Sequence, residues 1–322
     1  MLAGAPAMAC PRQTALLSRA SMNSSALPTT SRPGFLARRR RAYYFFAVPA
    51  LIVVGAVIIF PWLFTVWMSA FDWRIGSVAH FVGFENYVKL ATNQRFLESI
   101  VHTFYFTLLA VIFPLILGTA AALIFHREFP LRGVLRGIFT MPMMATPVAI
   151  ALVWTMMFHP QQGVLNYLLS LVGLPPSLWV YSQSLVIPSL VLVEVWHWTP
   201  LVMLIVLGGL AALPTEPYES AKLDGATEWQ VFRYITLPLL TPFLIVAAVI
   251  RTIDALKAFD TIYVISQGGP GTASETINLY LYLQAFAFYN VGNASAVVVV
   301  FFVIILALAL VLLHVREKTK WV

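Results

Sequence analysis

Among the 322 residues, 20 Lys/Arg and 13 Asp/Glu make up 10% of the chain, against about 25% in an ordinary soluble protein. Hydrophobic residues reach 60% and mean hydropathy is +0.84, which excludes a disordered chain and a large soluble catalytic domain. The length must go into membrane spans of about 20 residues each.

The net charge of +7 belongs to one end. Residues 1–42 hold Arg12, Arg19, Arg32 and Arg38 to Arg41 with no acid, and are expected to form a disordered basic cytoplasmic tail preceding a transmembrane domain over residues 43–322. Arg38 to Arg41 directly precede an apolar run and predict a cytoplasmic anchor by the positive-inside rule. No folded domain presents these cations to a polyanion, so no nucleic-acid partner is expected. The uncharged run continues from Tyr43 to Met68, too long for the h-region of a cleaved signal peptide. Cys10 is the single cysteine and predicts no intramolecular disulfide.

Five spans follow from uncharged runs at Tyr43 to Met68, Thr103 to Phe125, Gly137 to Phe158, Val195 to Pro214 and Ala294 to Val315. Leu237 to Ile250 is shorter and is interrupted by Arg251. Basic flanks at both ends, the second with Arg316, Lys318 and Lys320, put both termini inside and require an even number of spans. Leu239 to about Ser266 is therefore expected to be a charged fifth helix, giving six. With this topology 15 of the Lys/Arg lie in inner segments and only Arg74, Lys89 and Arg95 in outer ones. Prolines at 49, 61, 114, 142, 147, 188, 200 and 242 predict kinked helices.

No phosphate-binding loop, dinucleotide turn or His-Glu-x-x-His motif occurs, and the six histidines are scattered. No catalytic, cofactor-binding or metal site is therefore expected in this chain.

The most charged stretch of the second half is 215–238, between the fourth and fifth spans. Thr215 is placed to cap a first short helix, with Pro217 and Glu219 in its first turn. Gly225 permits a turn, Thr227-x-x-Gln230 has the pattern of a capping box, and Pro238 should end the second helix near Thr236. The small Ser220 and Ala221 would let another surface approach closely, and Glu219 would offer it a charge. Glu219, Ala221, Gly225, Ile235, Leu237 and Pro238 stand at the spacing Glu-Ala-Ala, three residues, Gly, nine residues, Ile, one residue, Leu-Pro, with Ser220 in place of the first alanine.

In this motif the chain resembles the permease subunits of binding-protein-dependent ABC importers, in the sugar, polyol and sugar-phosphate (maltose-trehalose type) branch. Val82 to Tyr87, Trp196 to Pro200, Phe259 to Thr261 and Gln267 to Gly271 extend the resemblance. It implies an all-α type I importer permease fold with six transmembrane helices and cytoplasmic termini, multi-pass in the inner membrane of a prokaryote. The implied partners are the lipid bilayer, a second homologous permease, a dimer of ATPase subunits and an extracytoplasmic solute-binding protein. The chain itself would be no enzyme, because ATP and Mg would be bound by the ATPases. Glu219, Ser220, Ala221, Lys222, Asp224 and Gly225 would form the ATPase-coupling element within 215–238.

In the fifth span Arg251, Asp254, Lys257 and Asp260 recur every three residues with alternating sign. Each would cost roughly 2.5–3.5 kcal/mol at the bilayer centre, and Arg251 lies about 18 Å up the helix from Leu239, so the set must face protein or a wet cavity. It reads either as a structural ladder of neighbouring ion pairs or as the wall of a pathway for a hydroxylated solute. On the fourth span Glu194, His197 and Trp198 share one face, and Trp198 is about 20 Å deep, below an interfacial belt. The candidate substrate pathway is thus Glu194, His197, Trp198, Arg251, Asp254 and Lys257. The expected function is alternating-access import of a carbohydrate-like solute. The rival is an ion-gradient-driven secondary transporter using the charged fifth helix as a relay, which leaves the 219–238 motif without a role.

Overall fold

The computed structural model describes residues 45–318. The tail 1–42 with Arg38 to Arg41 and Cys10, the side chains of the basic C-terminal flank, and Lys320 lie outside what is described. Contacts divide the chain after Ile59. The first unit, from residue 45, is an apolar helix with a π-turn at Gly55–Ile59. The second unit starts at Phe60 and holds every site discussed below.

In chain order, the apolar helix α1 (Phe45–Met68) leads to an antiparallel hairpin, β1 (Phe71–Asp72) and β2 (His80–Phe81), with Phe71 opposite Phe81. A short helix α2 (Glu85–Thr92) precedes α3 (Gln94–His126), whose first turn is capped by Asn93 accepting from the Phe96 N–H at 3.1 Å. Then come α4 (Arg132–Thr140), α5 (Pro147–Met157), α6 (Val164–Leu171), α7 (Val186–Ala211) and α8 (Glu216–Leu223). The last four are α9 (Glu228–Leu256), α10 (Asp260–Ile265), α11 (Ile277–Tyr282) and α12 (Val291–Lys318). Helices α1, α3, α7, α9 and α12 are long and apolar enough to cross a bilayer, where only a helix or a closed barrel satisfies its own backbone polar groups.

The third expected span, Gly137 to Phe158, is not one helix. The stretch Arg132–Met144 meets Pro147–Met157 at 96°. Thr146, just before Pro147, is extended at φ −69° and ψ 142°, because the proline ring disfavours α geometry in the residue that precedes it. Counting the bent pair as one crossing gives six.

The fifth span also departs from expectation at both ends. The second hairpin helix does not stop near Thr236, because a π-turn at Phe232–Thr236 carries it past Pro238 into the span. The Leu237 N–H reaches back five residues to the Phe232 carbonyl, widening the backbone where the proline ring enters. At its far end α9 stops at Leu256, not Ser266. The Asn278 side chain donates to the Leu256 carbonyl at 2.8 Å and to that of Ala258 at 3.4 Å. It thereby satisfies carbonyls that a continuing helix would have used. Asp260 consequently opens a new helix, and the four alternating charges do not lie along one.

Packing centres on α3, α7 and α9. A Cβ at Gly118 would stand 2.7 Å from the Val202 Cβ, and one at Gly209 would stand 2.6 Å from the Phe243 ring. These glycines let α3 approach α7 and α7 approach α9 as small residues do between membrane helices. One buried cluster joins Phe106, Ala110, Trp154, Phe158, Leu190 and Ile262. Another joins Ala122, Val202, Met203, Val206 and Leu240.

Candidate coupling segment and translocation wall

The charged segment forms two helices about a glycine turn. Thr215 contributes no side-chain cap to α8, contrary to expectation. Its carbonyl instead accepts from the N–H groups of Tyr218 and Glu219. At the other end the Gly225 N–H reaches the Lys222 carbonyl at 3.2 Å and the Ala226 N–H the Ala221 carbonyl at 2.9 Å, the pair of bonds of a Schellman ending. Gly225 has φ +70°, the left-handed region where a side chain is strained. The expected capping box forms: Thr227 accepts from the Gln230 N–H at 3.3 Å, and the Gln230 side chain accepts from the Thr227 N–H at 2.8 Å.

Within the hairpin, Glu219, Ser220, Lys222, Asp224 and Gly225 are exposed. Leu223, not singled out from sequence, is 90% exposed. Ala221 is buried against its own chain, where its small size fits the packing of the hairpin. The Tyr218 hydroxyl donates to Thr236 Oγ1 at 3.2 Å and ties α8 to the base of α9. Arg127, just past α3, pairs with Glu228 at 2.8 Å.

Deeper in the bundle, the candidate pathway residues divide into two groups. Arg251 on α9 donates through Nη2 to Glu194 Oε2 on α7 at 3.2 Å and to the Ala110 carbonyl on α3 at 3.4 Å. Its Cζ lies 5.0 Å from the centre of the Trp198 ring, within cation–π range, and the His197 ring lies 4.6 Å from that of Trp198. Thr261 on α10 donates to Glu194 Oε1 at 3.3 Å. Arg251 is 0% and Glu194 5% exposed, whereas Asp254, Lys257 and Asp260 are exposed and, among the described residues, form no ion pair. Among these residues pairing therefore runs between helices and not between neighbours on one helix. Four elements meet on one ion pair.

Replacing Trp198 by Ala removes the ring beneath the guanidinium and should cost about 0.5–2 kcal/mol. A lower melting temperature of the solubilised complex is expected, with Trp198→Phe retaining most of it. Equal melting of all three proteins would show that the ring does not support the cation.

Two polar anchors outside the pathway went unrecognised in the sequence. Asn86, inside the Val82 to Tyr87 stretch, is buried and donates to the carbonyls of Ser69 at 2.8 Å and Phe71 at 2.9 Å. It closes the end of α1, where helical carbonyls lack partners. Arg95 makes a two-pronged pair with the buried Glu275, Nε to Oε1 at 3.0 Å and Nη2 to Oε2 at 2.7 Å. This fork clasps the start of α3 to the loop before α11. The partners are 180 residues apart, and no local pattern announces them.

Apolar helices long enough to cross a bilayer, packed about a buried ion pair and with an exposed glycine-turned hairpin between two of them, define a membrane-spanning protein. The chain belongs to the family of the binding-protein-dependent transport system inner membrane component, which it matches over residues 114–317. It is thus a permease subunit of an ABC importer, a transport component and not an enzyme; the ATPase of such importers is a separate subunit.

Among its relatives is the trehalose/maltose transport system permease protein MalF of Thermococcus litoralis, 39% identical over 72% of this chain and 79% of that protein. The sulfoquinovosyl glycerol transport system permease protein SmoG of Agrobacterium fabrum is 34% identical over 72% of this chain and 76% of its own length. A chain of the bacterial alginate ABC transporter, solved with an alginate pentasaccharide-bound periplasmic protein, superposes with a TM-score of 0.78. It covers 90% of this chain and 99% of that one at 23% identity, a likeness of fold.

Proposed function

We propose that the subunit forms half of a carbohydrate pathway that opens alternately to the two sides of a prokaryotic inner membrane. The observation that carries this reading is the 216–231 hairpin, an exposed charged element between two apolar helices, with Gly225 at φ +70° and the family spacing around it. Glu219, Ser220, Lys222, Leu223, Asp224 and Gly225 present the surface that docks on one member of an ATPase dimer, and Ala221 holds the hairpin together behind them. ATP and Mg are bound by those ATPases. A second related permease completes the pathway, and an extracytoplasmic binding protein delivers the solute. The six-crossing topology with both ends inside is supported by the bias of Lys/Arg toward the inner segments and by the bent α4–α5 pair as the sixth crossing.

The carbohydrate class is supported by the trehalose/maltose and sulfoquinovosyl glycerol permeases among the relatives. In proteoliposomes containing the assembled complex and its binding protein, labelled maltose or trehalose should accumulate only when ATP reaches the ATPases. Accumulation driven by a proton or sodium gradient without ATP would support the secondary-transporter reading and overturn this one.

A further inference from the structure

The structure also holds an aromatic surface that the sequence does not announce. Phe259 and Tyr263 stand four residues apart, their rings stacked at 12° with centres 5.2 Å apart. Tyr282 and Phe286, again four apart, run from the end of α11 into the π-turn Leu283–Ala287, with ring centres 5.2 Å apart. Tyr282 joins the pairs, 5.1 Å from Phe259 and 5.1 Å from Tyr263. Phe259, Tyr263 and Tyr282 rest on the core that contains Trp154, Phe158 and Ile262. Phe286 is 66% exposed.

Charged side chains lie close to these rings along the chain. Lys257 and Asp260 flank Phe259 in the sequence, and with Asp254 they are exposed without an ion-pair partner among the described residues. Acyl chains or a dry protein interface over such groups would leave unpaired charge buried, which is strongly unfavourable. An aromatic surface with phenol groups, next in the chain to an exposed ammonium and carboxylate, suits a solute with apolar C–H faces and many hydroxyls. In contrast, Glu194 and Arg251 are turned toward each other inside the bundle.

We propose that Phe259, Tyr263, Tyr282 and Phe286 form a stacking platform for a sugar ring, with Lys257 and Asp260 as its hydrogen-bonding rim. The proposal rests on the carbohydrate-importer reading above. Labelled maltose and trehalose are the probes, delivered by the binding protein to the assembled complex in proteoliposomes with ATP. Phe286→Ala, at an exposed position, should lower the uptake rate about three- to tenfold, while the second permease and the ATPases still copurify in wild-type amounts. Phe286→Trp should keep the rate, and Tyr263→Leu should lower it as Phe286→Ala does.

Unchanged uptake by both Phe286→Ala and Tyr263→Leu would overturn the platform while leaving the importer intact. Loss of the second permease from the purified Phe286→Ala complex would also overturn it, making this surface a subunit interface. If the wild-type complex carries neither sugar with ATP, the carbohydrate reading fails, and the platform with it.

Discussion

Arg251→Met should strip the subunit from the assembled complex, costing about 3–5 kcal/mol. Removing one member of a buried pair leaves the other charge without compensation. In this variant Glu194 would keep only the Thr261 hydroxyl as a partner, at 3.3 Å, inside a site where Arg251 is 0% and Glu194 5% exposed. Glu194→Leu should do comparable damage, since the guanidinium would then have the Ala110 carbonyl and the Trp198 face alone. The double replacement Glu194→Leu with Arg251→Met should recover much of the lost abundance, because an apolar pair of similar volume carries no desolvation penalty. Membrane abundance and copurification of the partners measure all three. Single variants present at wild-type levels but unable to transport would shift the pair from structural tie to pathway wall. That is the other reading the alternating charges allow.

Gly225→Asp and Glu219→Lys should leave the subunit in the membrane at normal amounts and yet lower uptake by about tenfold or more. The reasons differ. A Cβ at Gly225 would meet nothing within 4 Å, so the substitution does not clash. Its cost is the left-handed backbone at φ +70°, roughly 1 kcal/mol for Asp, together with a new anion beside Asp224 at the C-terminal end of α8, roughly 0.3–1 kcal/mol. That strain falls on the Schellman ending that sets the angle between α8 and α9, and a tenfold loss of the correctly presented hairpin corresponds to about 1.4 kcal/mol. Glu219 is exposed at the first turn of α8, and its reversal changes the docking charge without touching the core. Uptake and ATP hydrolysis measured together should show hydrolysis continuing while transport falls. Normal uptake by both variants at normal expression would remove the hairpin from the coupling role.

How much of this was legible beforehand depends on how far apart the deciding residues lie. Thr227 and Gln230 are three residues apart, and the capping box could be recognised from that spacing alone. The existence of α1, α3, α7 and α12 follows from local hydropathy, because a bilayer demands a continuous apolar run whatever the rest of the chain does. Yet α3 starts at Gln94 and not Thr103, and α7 at Val186 and not Val195. The Glu219 to Pro238 spacing identified the importer permease family for the same reason, being a local motif with a local shape.

Tertiary structure alone decided which charges pair. Arg251 had Asp254 as a neighbour in sequence, yet its partner is Glu194, 57 residues away, with Trp198 beneath it. Burial at the crossing of α3, α7 and α9 selects that carboxylate, since a desolvated cation needs a partner inside the same dry volume. The end of α9 at Leu256 was likewise set from a distance, by Asn278 taking the carbonyls of Leu256 and Ala258. Sequence by itself determined that the chain crosses a membrane and where it turns its charged hairpin, because those features depend on hydrophobic length and local backbone geometry. Which side chains face each other across the bundle depended on packing, which brings distant residues into one low-dielectric site.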